Sequence, residues 1–284
     1  MGQIKVGQEN SAPIELYYED QGSGPAVVLI HGWPLSGTSW EKQVAALLAA
    51  GHRVITYDRR GFGRSDRPSV GYDSDTLAED LQKLVTKLDL REFALVGFSM
   101  GGGEVARYLG RYGSDRVSKA VFVASVAPFL LKSADNAAGV DEQEFEGIRN
   151  ALRADRFEFL TGFLDKFYNF DALGGKLVSK EQVHASWIVG AGASAQASLE
   201  CVSVWLADLR KDAAKIEVPT LILHGDADRI LPITATAFPL SKLIRGSRLV
   251  VVEGAPHGMT WTHATEVNRE LVKFLGQPKA AAAV

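Results

Sequence analysis

Gly97-Phe-Ser99-Met-Gly101 places a serine between two glycines in the spacing G-x-S-x-G. Alone the pattern is weak, because an ordinary glycine-rich turn reads the same way. Its setting gives it weight. Phe93–Phe98 is an unbroken apolar run that ends at the serine, and Gly101-Gly-Gly-Glu-Val-Ala-Arg-Tyr108 opens as a helix. A serine on a sharp strand-to-helix turn has a strained backbone, projects its hydroxyl above the sheet and sits at the positive end of the helix dipole. Such a hydroxyl can attack an acyl carbon if a base takes its proton.

Among the histidines, His257 is the strongest candidate for that base. It follows the apolar run Arg248–Val252 in the loop Gly254-Ala-Pro-His257-Gly258, and so lies at a strand's carboxyl end. Chain order Ser…Asp…His then requires an acid between them. His224-Gly-Asp226-Ala-Asp228 follows the run Thr220–His224, and either carboxylate could orient the imidazole. Asp228 is two residues further into the loop and reaches further, so it is assigned that role, with Asp226 tying down the turn. Attack by Ser99 puts negative charge on a carbonyl oxygen, and two backbone N–H groups must meet it. Met100 follows the nucleophile. Trp33, in His31-Gly-Trp33-Pro34, supplies the second, since Pro34 has no N–H. His31 is read as a structural turn residue.

The elements that must hold these residues alternate. Val27–Ile30, Arg53–Tyr57, Phe93–Phe98 and Val117–Ala124 read as strands, with helices over Ser39–Ala50, Asp75–Leu90 and Met100–Tyr112. This predicts an α/β fold with a mostly parallel, doubly wound sheet. Ile14–Tyr18 reads as an antiparallel edge strand. From about residue 130 to 215 only helices are legible: Asp141–Ala154, Arg156–Tyr168, Ser179–Val189 and Ala195–Ala207. Alternation then returns with Thr220–His224, a helix from Ile233, Arg248–Val252 and Ala264–Leu275. The expected organisation is a core of residues 1–129 and 216–284, with a helical cap, 130–215, over the carboxyl ends of the strands, where ligands bind in such sheets.

The 284 residues suit one large domain carrying an insertion. Lys+Arg 31 against Asp+Glu 34 leaves a net charge of -3, which argues against a nucleic-acid or membrane-surface binder. The single cysteine, Cys201, excludes an internal disulfide and a cysteine-based metal site. It reads as a small buried apolar residue and fits a cytoplasmic location, and the first residues lack a signal-peptide pattern. No metal or other cofactor is expected. Pro278–Val284 reads as a frayed, low-complexity tail. Arg59, Arg60, Arg64 and Arg67 form a basic run, expected to be a solvated or salt-bridged loop with Asp58 and Asp66 as partners.

These motifs, in this order, resemble the α/β-hydrolase fold from about Ile14 to Leu275. His31-Gly-Trp-Pro34, Tyr57-Asp-Arg-Arg-Gly-Phe-Gly-Arg-Ser65 and Gly97-Phe-Ser-Met-Gly-Gly-Gly103 are similar to the cofactor-free bacterial haloperoxidases (non-haem chloroperoxidases) and the related aryl esterases. The resemblance implies a triad of Ser99, Asp228 and His257, with oxyanion donors Trp33 and Met100. It implies hydrolysis of small carboxylic esters through an acyl-enzyme, and perhydrolysis in which hydrogen peroxide replaces water. The peracid so formed oxidises halide in solution. Pro34 matches the peroxidase-type members, where a rigid proline shifts the neighbouring carbonyl toward a bound peroxide. The expected partners are a small ester or carboxylic acid and hydrogen peroxide, and the resemblance allows a homo-oligomer. Pro34, Phe98, Phe129, Phe163 and Trp205 are candidates for the substrate pocket, although plain core packing explains the cap aromatics equally well. Lactone or amide hydrolysis shares the same chemistry. A small-molecule receptor using the same pocket is the reading of a different class.

Overall fold

The computed structural model describes residues 1–276; the tail expected over 278–284 lies outside them. Along the chain run β1 (Gly2–Glu9), β2 (Ala12–Gln21), β3 (Ala26–Ile30), α1 (Glu41–Ala49), β4 (Arg53–Tyr57), α2 (Ser74–Lys87), β5 (Phe93–Phe98), α3 (Met100–Tyr112) and β6 (Val117–Val123). The helices α4 (Glu142–Tyr168), α5 (Phe170–Leu173), α6 (Lys180–Ala191), α7 (Ala195–Val204) and α8 (Arg210–Ala213) follow. The chain then forms β7 (Thr220–Gly225), α9 (Ala237–Leu243), β8 (Arg248–Val252), α10 (Met259–Thr262) and α11 (Ala264–Leu275).

The strands form one sheet in the order β1-β2-β4-β3-β5-β6-β7-β8. β1/β2 and β2/β4 pair antiparallel, and every later pair is parallel. The sequence reading missed β1, where only Ile4 and Val6 point into the core among otherwise polar or small residues. The parallel strands are apolar on both faces because helices cover both. Val28 and Ile30 turn toward the Leu81, Leu84, Val105 and Leu109 side chains of α2 and α3. Val27 and Leu29 turn toward Leu47 of α1 and Val267 and Leu271 of α11.

Chain order reverses at β3, which pairs with β4 on one side and β5 on the other. A crevice opens at such a reversal, at the carboxyl ends of the strands. The loop carrying Trp33 and the turn carrying Ser99 leave β3 and β5 there, side by side.

The stretch between β6 and β7 is helical, with a break where the sequence separates Asp141–Ala154 from Arg156–Tyr168. Asp155 has φ -153° and ψ 96°, and its Oδ1 accepts the N–H groups of Phe157 at 2.9 Å and Glu158 at 3.0 Å. The carboxylate thus caps the second half of α4. Trp33, Phe163 and Trp205 share a third apolar cluster with Met100 and Leu231. α8 behaves differently: Leu209, Ala213 and Ile216 join the cluster around α3. Among the described residues no helix is long and apolar enough to cross a membrane.

Candidate active site

Ser99 occupies the turn between β5 and α3 with φ 54° and ψ -118°, a conformation costly for a residue with a Cβ. The turn is possible because α3 begins hard against the sheet: a Cβ at Gly101 would stand 2.3 Å from the Ile30 carbonyl oxygen. Only glycine fits that approach. Ser99 is 7% exposed, and its Oγ lies 2.9 Å from His257 Nε2. His257 Nδ1 lies 2.7 Å from Asp228 Oδ2. The carboxylate can only accept, so the ring carries its proton on Nδ1 and turns the Nε2 lone pair to the serine hydroxyl.

Asp228 is held from several sides. Its Oδ1 accepts the N–H groups of Ile230 and Leu231, both at 2.8 Å. Burial pushes the carboxyl up, but the neighbouring His257 and hydrogen bonds from His224 and His257 outweigh it and hold it well below the usual carboxylate range. It therefore stays ionised beside the imidazole. The two loops that bring Asp228 and His257 together are laced through the other acid: Asp226 Oδ1 accepts the N–H of Gly254 at 2.7 Å. Helix α4 adds two ties from its end, Gly258 N–H to the Phe167 carbonyl at 2.8 Å and Asn169 Nδ2 to the Ala227 carbonyl at 2.8 Å. Phe98 and Phe167 pack on the imidazole at centroid distances of 5.1 and 5.0 Å.

Opposite the imidazole, the Trp33 loop presses on the serine: a Cβ at Gly32 would lie 2.9 Å from Ser99 Cβ. Among the described residues the backbone N–H groups of Trp33 and Met100 have no acceptor. Met100 opens α3, so its N–H is one of the helix's unpaired donors. His31 is structural. Its Nδ1 donates to the Gly32 carbonyl at 2.9 Å, and its Nε2 accepts the Arg59 N–H at 3.0 Å. Burial, with the Arg59 charge beside it, pushes its pKa well below the ordinary histidine value and keeps the ring neutral.

The basic run departs from expectation. Arg59 and Arg60 are buried and do not pair with Asp58 or Asp66. Arg59 Nε meets Glu104 of α3 at 2.8 Å while its Nη2 donates to the His31 carbonyl at 2.8 Å. Arg60 meets Asp80 of α2 at 2.7 Å. Arg59 thus fastens the Trp33 loop to the helix that follows the serine. Asp58 instead accepts the backbone N–H groups of Gly37 and Arg64, and Asp66 that of Glu15.

A cavity of about 520 Å³ adjoins the loop that carries Asp228; Ser99, His257 and Trp33 are not among its lining residues. Phe159 and Phe163 of α4, Trp205, and Ile230 and Leu231 from the Asp228 loop form much of its wall. Trp33 stands edge-on to Phe163 and Trp205, both at 5.1 Å, behind that wall. Of the five predicted pocket residues, Phe163 and Trp205 line the cavity. Phe98 backs the imidazole instead, and Pro34 is buried toward α6, its Cγ 3.0 Å from where a Cβ of Gly190 would stand. Phe129 does not line the cavity: its ring lies beneath the Arg210 guanidinium at 4.6 Å, and the next residue, Leu130, faces the cavity. The two apolar neighbours in the chain thus face different ways. Sequence reasoning missed Phe159 and gave His224 no role. The signal for His224 was its place at a buried strand end, four residues before the acid. Cys201 is buried, which pushes its thiol up to about 12.

The family model described as the alpha/beta hydrolase fold matches residues 25–264, most of the chain. The chain belongs to the α/β-hydrolase family. This hydrolase is 58% identical over 275 residues to a protein of Synechocystis sp. that carries a provisional non-heme chloroperoxidase name, covering 97% of this chain and 100% of that one. It is 36% identical to the bifunctional esterase/perhydrolase of Acinetobacter calcoaceticus, with 92% and 96% covered. The crystal structure of a bromoperoxidase from Bacillus anthracis superposes on the hydrolase with a TM-score of 0.93 at 46% identity, covering 96% of this chain and 99% of that one.

Proposed function

We propose that this hydrolase cleaves small carboxylic esters through a Ser99 acyl-enzyme and forms peracids when hydrogen peroxide takes the place of water. The observation that carries the reading is the unbroken chain Ser99 Oγ, His257, Asp228 beside two backbone N–H groups without acceptors. The names of its relatives, a bifunctional esterase/perhydrolase and non-heme chloroperoxidases, agree with both activities. Residues 130–215 act as a cap that closes the cavity over the core of 1–129 and 216–284.

In the proposed cycle Ser99 Oγ bonds to the acyl carbon while its proton passes to His257 Nε2. The carbonyl electron pair moves onto oxygen, where the Trp33 and Met100 N–H groups hold it. Collapse breaks the bond to the alcohol oxygen, which leaves with the proton from His257. Water then attacks the acyl carbon and gives its proton to His257. The second collapse returns that proton to Ser99 and frees the acid. Hydrogen peroxide in the second half gives the peracid, which passes one oxygen atom and its proton to halide in solution and leaves hypohalous acid and carboxylate.

The test is a panel of esters, lactones and amides, with p-nitrophenyl acetate as the reference, run with and without peroxide. Multiple turnovers on esters, and peracid formation with peroxide, are expected. Binding of these compounds without turnover would replace the enzyme reading by a receptor. The Pro34 assignment has its own check. If the carbonyl beside Pro34 makes one hydrogen bond of ~1 kcal/mol to bound peroxide, Pro34→Leu lowers the ratio of perhydrolysis to hydrolysis about five-fold. An unchanged ratio at fixed peroxide concentration removes that role.

A further inference from the structure

His224 is the penultimate residue of β7 with its side chain 1% exposed, in the stretch Thr220-Leu-Ile-Leu-His224 whose other members are apolar or small. Its Nε2 lies 3.0 Å from the Leu231 carbonyl oxygen and 3.3 Å from Asp228 Oδ2. Both neighbours only accept, so the ring carries its proton on Nε2. Its Nδ1 is buried with no partner among the described residues. A leucine would fill this place with no such cost, since an unpaired buried polar atom is destabilising. What the imidazole offers in exchange is one N–H, aimed at the turn that carries Asp228.

That N–H closes a ring of interactions. His224 holds the Leu231 carbonyl, and Leu231 gives its own N–H to Asp228 Oδ1 at 2.8 Å. Donors then face both carboxylate oxygens: Ile230 and Leu231 at Oδ1, His257 and His224 at Oδ2. Other elements hold the same turn from outside. Asn169 at the end of α4 reaches the Ala227 carbonyl, while Arg229 turns away to Asp171 at 2.8 Å. Ile230 and Leu231 also line the cavity, so one N–H ties the acid and the cavity wall to the end of β7.

We propose that His224 is a positioning residue for the Asp228–His257 pair, fixing the plane of the carboxylate from beneath. The proposal rests on the Ser99 acyl-enzyme reading. Without the N–H, the Leu231 carbonyl loses its anchor and Asp228 Oδ2 keeps only His257. The carboxylate then swings, and His257 loses its alignment on Ser99. A small misplacement in a reacting constellation is costly, so His224→Leu is expected to lower kcat for p-nitrophenyl acetate on the order of 10- to 100-fold. KM is expected to change less than kcat, because Ile230 and Leu231 keep their side chains in the cavity wall. Gln carries an N–H over the same number of bonds as His Nε2, so His224→Gln recovers most of kcat. Asn is one bond shorter, so His224→Asn stays slow.

The experiment measures kcat and KM of the three variants, normalised to folded protein by circular dichroism, beside Ser99→Ala. A slow Leu variant with an active Gln variant supports the proposal. A folded Leu variant with parental kcat overturns it, as does a Gln variant as slow as Asn. If the Leu variant does not fold, the Gln and Asn pair decides by the same comparison. Should Ser99→Ala keep its activity, the acyl-enzyme reading fails instead, whatever the His224 variants do.

Discussion

Ser99→Ala is expected to lower kcat for ester hydrolysis by about 10⁵- to 10⁶-fold, the scale at which a serine–histidine unit fails when its nucleophile is removed. The residual rate is water attack assisted by the Trp33 and Met100 N–H groups and by binding, which survive the change. The substitution is small and spares the fold. It removes one oxygen from a residue that is 7% exposed, and the oxygen's side-chain partner is His257 Nε2. The backbone strain at φ 54° is the same for alanine, so thermal unfolding should move little. Loss of peracid formation in parallel with ester hydrolysis is part of the expectation, because both pass through the same acyl-enzyme. A variant that loses hydrolysis and keeps peracid formation would falsify the shared intermediate. Stopped-flow measurement of the p-nitrophenol burst checks the same point: the parent releases one equivalent per site before steady state if deacylation is slower, and the variant none.

The order of the motifs was legible because each sits where an apolar run stops. Phe93–Phe98 and Thr220–Gly225 are buried along their whole length, so their ends are visible in sequence, and Ser99 and the Asp228 loop stand just beyond them. β1 was not legible for the opposite reason, since two inward residues among eight give too short an alternation. The break in α4 could be read because Asp155 both stops one helix and caps the next. The burial of Arg59 and Arg60 could not be read. Four arginines in nine positions look solvated, and what takes two of them inside are carboxylates 45 and 20 residues further along the chain. Local sequence carries no sign of such partners. The cavity wall failed in the same way. Phe129 and Leu130 are adjacent and both apolar, and nothing in the local sequence marks which one lines the cavity.

Helix α4 acts on the site through the ties at its C-terminal end. Phe167 gives its carbonyl to Gly258 and its ring to His257, and Asn169 reaches the loop of Asp228. This end of α4, next to the cavity-lining Phe163 and Lys166, therefore steadies the base and the acid. Substitutions that loosen this end of α4 should affect the rate as well as substrate choice, whereas changes at Phe159, on the cavity wall, fall on substrate choice first.

Asp228→Asn carries the second large effect, and it acts through a proton rather than through geometry. The side chain is nearly isosteric. Its carbonyl oxygen can keep the N–H groups of Ile230 and Leu231, both now at 2.8 Å, which leaves the amide NH₂ facing His257 Nδ1. An NH₂ donates, so Nδ1 must accept, and the ring's proton moves to Nε2. There it meets Ser99 Oγ at 2.9 Å as a donor and can no longer take the serine's proton. The same NH₂ also faces His224 Nε2, whose N–H is already directed at the Leu231 carbonyl. Loss of the buried negative charge further removes what stabilises the imidazolium. The expected fall in kcat is about 10⁴-fold with the constellation still in place. Rate recovery at high pH, where hydroxide does the work of the missing base, distinguishes this tautomer effect from a collapsed site. A variant that retained a tenth of parental kcat at neutral pH would mean that the carboxylate orients nothing and that His257 finds its tautomer elsewhere.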